Sequence, residues 1–139
     1  PFMYKTRSKY NSIIKIRLAD ILLLKAEAYV ETGNLQAAAA LVNTVRNRAK
    51  LADLPATTIS SKEKMADAVL NERRLELAFE GQRWFDLVRT GKVFSILNSL
   101  NTRDSGRLPM TPVTEETVLL PVPQTQIDKN PNLTQNKGY

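Results

Sequence analysis

Residues 71–92 read NERRLELAFEGQRWFDLVRTGK and crowd four arginines, four acidic residues and the only tryptophan of the chain into 22 positions. Glu72, Glu76 and Glu80 recur every fourth residue and so share one face of a helix, where like charges repel by about 0.2–0.5 kcal/mol per pair unless cations intervene. Arg73, Arg74, Arg83 and Arg89 are the cations at hand. Planar, bidentate pairing with these carboxylates and with Asp86 is expected to lock two helices around Gly81. Beyond the glycine, Trp84, Leu87 and Val88 fall on one face and Arg83, Asp86 and Arg89 on another, so a second, shorter helix follows at an angle and closes at Thr90-Gly91-Lys92.

Two carboxylates at this spacing raise glycosidase chemistry as an alternative, one as acid and one as base or nucleophile. A general acid needs an apolar pocket away from cations, and here arginines flank every acid. The chain also has no histidine and no cysteine, which removes the usual general base, thiol nucleophiles, disulfides and zinc-type sites. A salt-bridge framework is the expectation, with no catalysis and no cofactor. Trp84 could be a sugar-stacking platform, but its helical spacing with Leu87 and Val88 places it in the core.

Upstream, Ser60 followed by Glu63 reads as a capping box that opens a long helix with Met65, Ala68, Val69, Leu75 and Phe79 facing inward. The polar linker LADLPATTISS (51–61) precedes it. Before the linker, IRLADILLLKAEAYVETG (16–33) places Leu18, Ile21, Leu22, Leu24, Ala28 and Tyr29 at three-and-four spacing, a helix with a wide buried face stopped by Gly33. From Asn34, a good N-cap, Leu35, Ala38, Leu41, Val42 and Val45 line a second helix whose basic end, RNRAK (46–50), suits the negative end of its dipole. Residues 17–50 thus form an antiparallel pair. Leu22, Ala26, Tyr29, Ala38 and Val42 fall at spacings like those of a tetratricopeptide (TPR) unit, an alternative to an ordinary helical hairpin. One such unit cannot bury both of its faces alone.

Downstream, VFSILNSL (93–100) continues the helical pattern, and residues 101–139 change character. They hold five of the seven prolines of the chain, so an ordered, irregular segment is expected there. Val118, Leu119, Leu120, Val122 and Ile127 are its apolar anchors, stiffened by Pro121 and Pro123.

The organisation is therefore one mainly all-α domain over 1–139: an extended leader (1–16), the TPR-like pair (17–50), the charged helices (60–100) and the irregular tail (101–139). A chain of 139 residues that is 42% hydrophobic and 24% charged can bury roughly two thirds of its unfolded surface in one core. Five Lys or Arg residues precede the first acid, Asp20, and account for most of the net charge of +6. Tyr4 and Tyr10 sit among them in the leader. Beyond it the signs interleave, so no nucleic-acid partner is expected. No apolar run reaches the roughly 18 residues that span a bilayer. The start lacks both Met and a signal-peptide pattern, and the chain reads as a piece of something longer.

In order along the chain, RLADILLLKAEAYVETG (17–33), VNTVRNRAKL (42–51), NERRLELAFEGQRWFDLVRTGK (71–92), LLPVPQTQID (119–128) and NPNLTQNKGY (130–139) resemble the C-terminal part of SusD/RagB-like proteins. Glu72, Arg73, Glu76, Glu80, Gly81, Arg83, Asp86 and Arg89 stand at the positions of that family's motif. The resemblance implies a non-catalytic lipoprotein on the outer surface of a Gram-negative bacterium. Such a protein captures glycans or peptides and hands them to a SusC-like TonB-dependent barrel transporter. It implies a structural role for the motif residues, with the ligand site elsewhere. Asp20 stands where the family more often has Glu, and Lys137 where it more often has Pro, both expected as mild changes on the surface. The alternative is a helical-repeat scaffold that binds a protein in its groove without affinity for carbohydrate.

Overall fold

The computed structural model describes residues 15–103 and 111–139 of the 139. The leader, with Tyr4 and Tyr10, lies almost wholly outside the described residues. Those described form seven helices and irregular segments, with no strand among them. They fall into two compact units, one ending at Arg83 and one running from Trp84 to Tyr139.

The first unit is built on helices α1 (Leu18–Glu31) and α2 (Leu35–Arg48), closed by α4 (Lys62–Glu76). Gly33 takes a left-handed φ of 81°, which lets the Gly33 N–H reach the Val30 carbonyl at 3.1 Å and the Asn34 N–H reach the Tyr29 carbonyl at 2.8 Å. That double closure satisfies the last carbonyls of α1, and glycine makes it free of side-chain strain. One residue on, the Asn34 side chain accepts the Ala37 N–H at 3.3 Å and caps α2. Asn34→Ala is expected to lower stability by about 0.5–1 kcal/mol, seen as a reduced urea midpoint at unchanged m-value.

The core of this unit joins Ala19, Leu23, Ala26 and Val30 of α1 to Ala38, Ala39, Val42 and Val45 of α2 and to Met65 and Val69 of α4. Alanines at 26, 38 and 39 let the helix axes approach closely. The α2 face is the expected one. The α1 face is not: Leu18, Ile21, Leu24 and Ala28 are exposed, and Leu22 and Tyr29 are half-buried against the core. Apolar residues surround most of α1, so periodicity left its rotation open. Buried Asp20, on the edge of the inward face, shows what fixed it.

The segment between α2 and α4 is pinned. Lys50 adopts a left-handed φ of 59° after α2; the Asn43 side chain accepts the Leu54 N–H at 2.9 Å; and the Arg46 Nε donates to the Ala52 carbonyl at 2.8 Å. It contains one helical turn, α3 (Ala56–Ile59), that the sequence reading did not include. Because Ser60 keeps helical angles (φ −73°, ψ −16°) at the end of α3, the extended Ser61 (φ −144°, ψ 148°) caps α4, its hydroxyl accepting the Lys64 N–H at 3.2 Å. The expected box of Ser60 with Glu63 is thereby displaced by one residue. Helix α4 also stops earlier than expected, at Glu76. Met65 and Val69 are buried and Ala68 is half-buried, but Leu75 and Phe79 are exposed; Leu70 and Leu77 take the inward places.

The second unit holds α5 (Arg83–Arg89, whose first residue belongs to the first unit), α6 (Val93–Arg103) and α7 (Gln124–Ile127). Gly91, at φ 69°, closes α5 as Gly33 closes α1: its N–H meets the Val88 carbonyl at 3.1 Å, and the Lys92 N–H meets that of Leu87 at 3.0 Å. Leu87 and Val93 are buried and Trp84 is half-buried.

The proline-rich tail is held by side-chain amides that imitate a peptide group. Asn98 Oδ1 accepts the Val113 N–H at 2.8 Å while its Nδ2 donates to the Val113 carbonyl at 3.0 Å. Gln135 treats Val122 the same way, at 2.7 and 3.0 Å, and Asn136 Nδ2 donates to the Leu120 carbonyl at 2.6 Å. Of the expected anchors Val118, Val122 and Ile127 are half-buried, whereas Leu119 and Leu120 are exposed. Backbone satisfaction by amides, more than burial of leucines, orders this segment.

Candidate functional site

Helix α4 presents Glu72, Arg73 and Glu76 toward α1 and α2, and the geometry there is a row of interlocked ion pairs. Arg73 Nη1 donates to Asp20 Oδ1 at 2.8 Å and to the Asp20 carbonyl at 3.3 Å. Both side chains are nearly closed to water, at 2% and 9% exposure. From the neighbouring position of α4, Glu72 Oε2 accepts from Arg46 Nη1 at 2.9 Å. Glu76 is met from two sides, by Arg17 Nη1 at 2.6 Å and by Arg48 Nη2 at 2.8 and 2.7 Å to its two oxygens.

Arg17, immediately before α1, also forks onto Glu80, Nε to Oε2 at 2.8 Å and Nη2 to Oε1 at 2.9 Å. Its Nη2 donates further to the Glu76 carbonyl at 2.6 Å, at the carbonyl-rich end of α4 where a cation is favoured. The hydrogen bonds it donates to Glu80 hold this guanidinium above its ordinary range, with Glu76 adding to them against the effect of burial.

Gly81, Arg83, Asp86 and Arg89 complete the motif. Gly81 has a left-handed φ of 80° with open space where a Cβ would stand. Arg83 Nη1 donates to the Leu70 carbonyl at 3.3 Å, and Arg74 donates to the Asn71 side chain on its own helix. In the second unit the buried Asp86 accepts from Arg89 Nη2 at 2.8 Å, an i,i+3 pair within α5. Asp86→Ala or Arg83→Ala is expected to lower stability by about 1–3 kcal/mol in thermal or urea unfolding.

Arg17, Asp20, Arg46 and Arg48 are the members of the row that sequence reasoning missed. Arg46 and Arg48 had an adequate role as complements to the α2 dipole, and Arg17 ran into the basic leader. Asp20 was expected on the surface and is buried; an acid set in the apolar run LADILLL was the available signal, since a buried charge needs a partner. The row gathers Glu72, Arg73, Glu76 and Glu80, each of which meets an oppositely charged side chain. That chemistry fastens helices and fixes geometry. Among the described residues, no three His, Cys, Asp or Glu side chains gather as a metal site, and no helix is long and apolar enough to cross a membrane.

The SusD family model matches residues 3–139. The SusD-like protein P38 of Formosa agariphila is 37% identical over 135 residues, covering 93% of this chain and 25% of that protein. The starch-binding protein SusD of Bacteroides thetaiotaomicron is 32% identical over 123 residues, covering 88% and 21%. Among solved structures, a SusD superfamily protein from Bacteroides vulgatus superposes with a TM-score of 0.73 at 30% identity, covering 90% of this chain and 27% of that one. The surface glycan-binding protein A from Bacteroides thetaiotaomicron gives 0.73 at 29% identity, covering 93% and 25%. The chain spans about a quarter of the length of the relatives it matches. With the family match running through the leader, the helix pair, the charged row and the tail alike, this chain belongs to the SusD family.

Proposed function

We propose that the chain is framework of a non-catalytic binding protein at the outer surface of a bacterium, which captures a glycan or peptide nutrient and passes it to a SusC-like TonB-dependent transporter. The observation that supports this reading is the family match over residues 3–139, with relatives named for starch binding and for surface glycan binding. Glu72, Arg73, Glu76, Glu80, Gly81, Arg83, Asp86 and Arg89 hold the helices in place, and the ligand contacts lie elsewhere in the whole protein. The α1–α2 pair acts as a TPR-like unit of that framework, and both compact units belong to one domain. Anchoring is by a lipid.

The test is isothermal titration of the full-length protein with starch oligosaccharides, other soluble glycans and a peptide panel, with the products analysed chromatographically. Saturable binding that leaves the ligand intact is the expected result, joined by co-purification with a large outer-membrane barrel. Cleavage of a bound glycan would refute the non-catalytic reading. Binding to a protein partner with none to any glycan or peptide would favour the scaffold alternative.

A further inference from the structure

Between α4 and α5 the backbone turns left-handed twice, at Phe79 (φ 66°) and at Gly81 (φ 80°). Glycine adopts that region freely, but for an aromatic residue it is a steric outlier. The Phe79 ring is 72% exposed, so its own burial does little to offset the strain. Strain of this kind persists only where the surroundings over-determine the backbone.

Arg17 supplies that determination. Its guanidinium holds the Glu76 carboxylate and carbonyl at one end of the segment and, as a fork, both oxygens of Glu80 at the other. Within the span, the Leu77 N–H bonds to the Arg73 carbonyl at 2.9 Å and the Glu80 N–H to the Leu77 carbonyl at 3.1 Å, with Leu77 buried. The three residues 77–79 are thus a short excursion whose two ends are drawn onto one planar cation. We infer that Arg17 is a conformational latch: by holding Glu76 and Glu80 together it forces Phe79 into the left-handed region and keeps its ring displayed to solvent. Opening the latch relaxes the loop. Lysine cannot replace it, since a single ammonium reproduces neither the fork nor its directions.

The inference is tested by a thermal double-mutant cycle on the full-length protein, using Phe79→Gly and Arg17→Lys. Phe79→Gly is expected to raise Tm by about 1–4 °C, because glycine removes the strain and the exposed ring contributes little. In the Arg17→Lys background, where the loop is already free to relax, the same substitution is expected to give less than half of that gain. Arg17→Lys is also expected to speed hydrogen exchange at the Glu80 amide by about tenfold or more relative to that of Val69 in α4. Equal gains in both backgrounds would overturn the latch, as would a fall in Tm on Phe79→Gly or unchanged exchange at Glu80. Should Arg17→Lys fail to fold, Glu80→Gln breaks the fork from its other side and enters the same cycle with the same criteria.

Discussion

Asp20→Ala is expected to destabilise the chain by about 3–5 kcal/mol in urea unfolding, a large share of the stability of a domain this size. The Arg73 guanidinium opposite it is 2% exposed and cannot turn to water without opening the α1–α4 contact. Part of its desolvation is offset by the Asp20 carboxylate at 2.8 Å, and removing that partner leaves that part of the cost in place. A loss below about 0.5 kcal/mol for Asp20→Ala, the size of an ordinary surface substitution, would show that the pair is not desolvated in solution.

Leu23→Ala and Leu24→Ala are expected to differ several-fold although the residues are adjacent. Leu23 is fully buried among α1, α2 and α4, so truncation removes its transfer energy and leaves a cavity, about 2–5 kcal/mol together. Leu24 is 39% exposed on the outer side of α1, and its truncation in the 139-residue chain is expected to cost no more than about 1 kcal/mol. The comparison of urea midpoints reads the rotation of α1 directly. A larger loss for Leu24→Ala than for Leu23→Ala would place the helix in the orientation expected from the spacing.

Both experiments bear on the feature that the sequence left open. The existence and ends of α1 and α2 were legible because their signals are local. Gly33 supplies a left-handed residue, Asn34 a capping oxygen, and the alternation of apolar positions in α2 has one clear face. In α1, Leu18 through Leu24 offer apolar groups in nearly every direction, and no local rule selects among them. The cap of α4 was misplaced by one residue for a related reason. Ser60 and Ser61 are equally good capping residues by type, and which becomes extended depends on the turn of α3 before them.

The charged stretch shows the same division. That Glu72 and Glu76 needed cations followed from their spacing on one helix, and the arginines around them made a structural role the expectation; Glu80, expected on the same helix, lies beyond the end of α4 at Glu76 and meets Arg17 there. Which cations came was decided by chain segments 26 to 63 residues away: Arg17, Arg46 and Arg48 meet the acids, and Arg73 crosses to Asp20. What the amino-acid order determined by itself was the helical class, the element ends set by glycine and capping residues, and the membership of a family through motifs in sequence. What only the tertiary structure decided was the rotation of α1, the cross-helix partners of Asp20, Glu72 and Arg73, and the left-handed Phe79. Each of these depends on groups brought together by packing, and desolvation acts on a charge only after distant segments have closed around it.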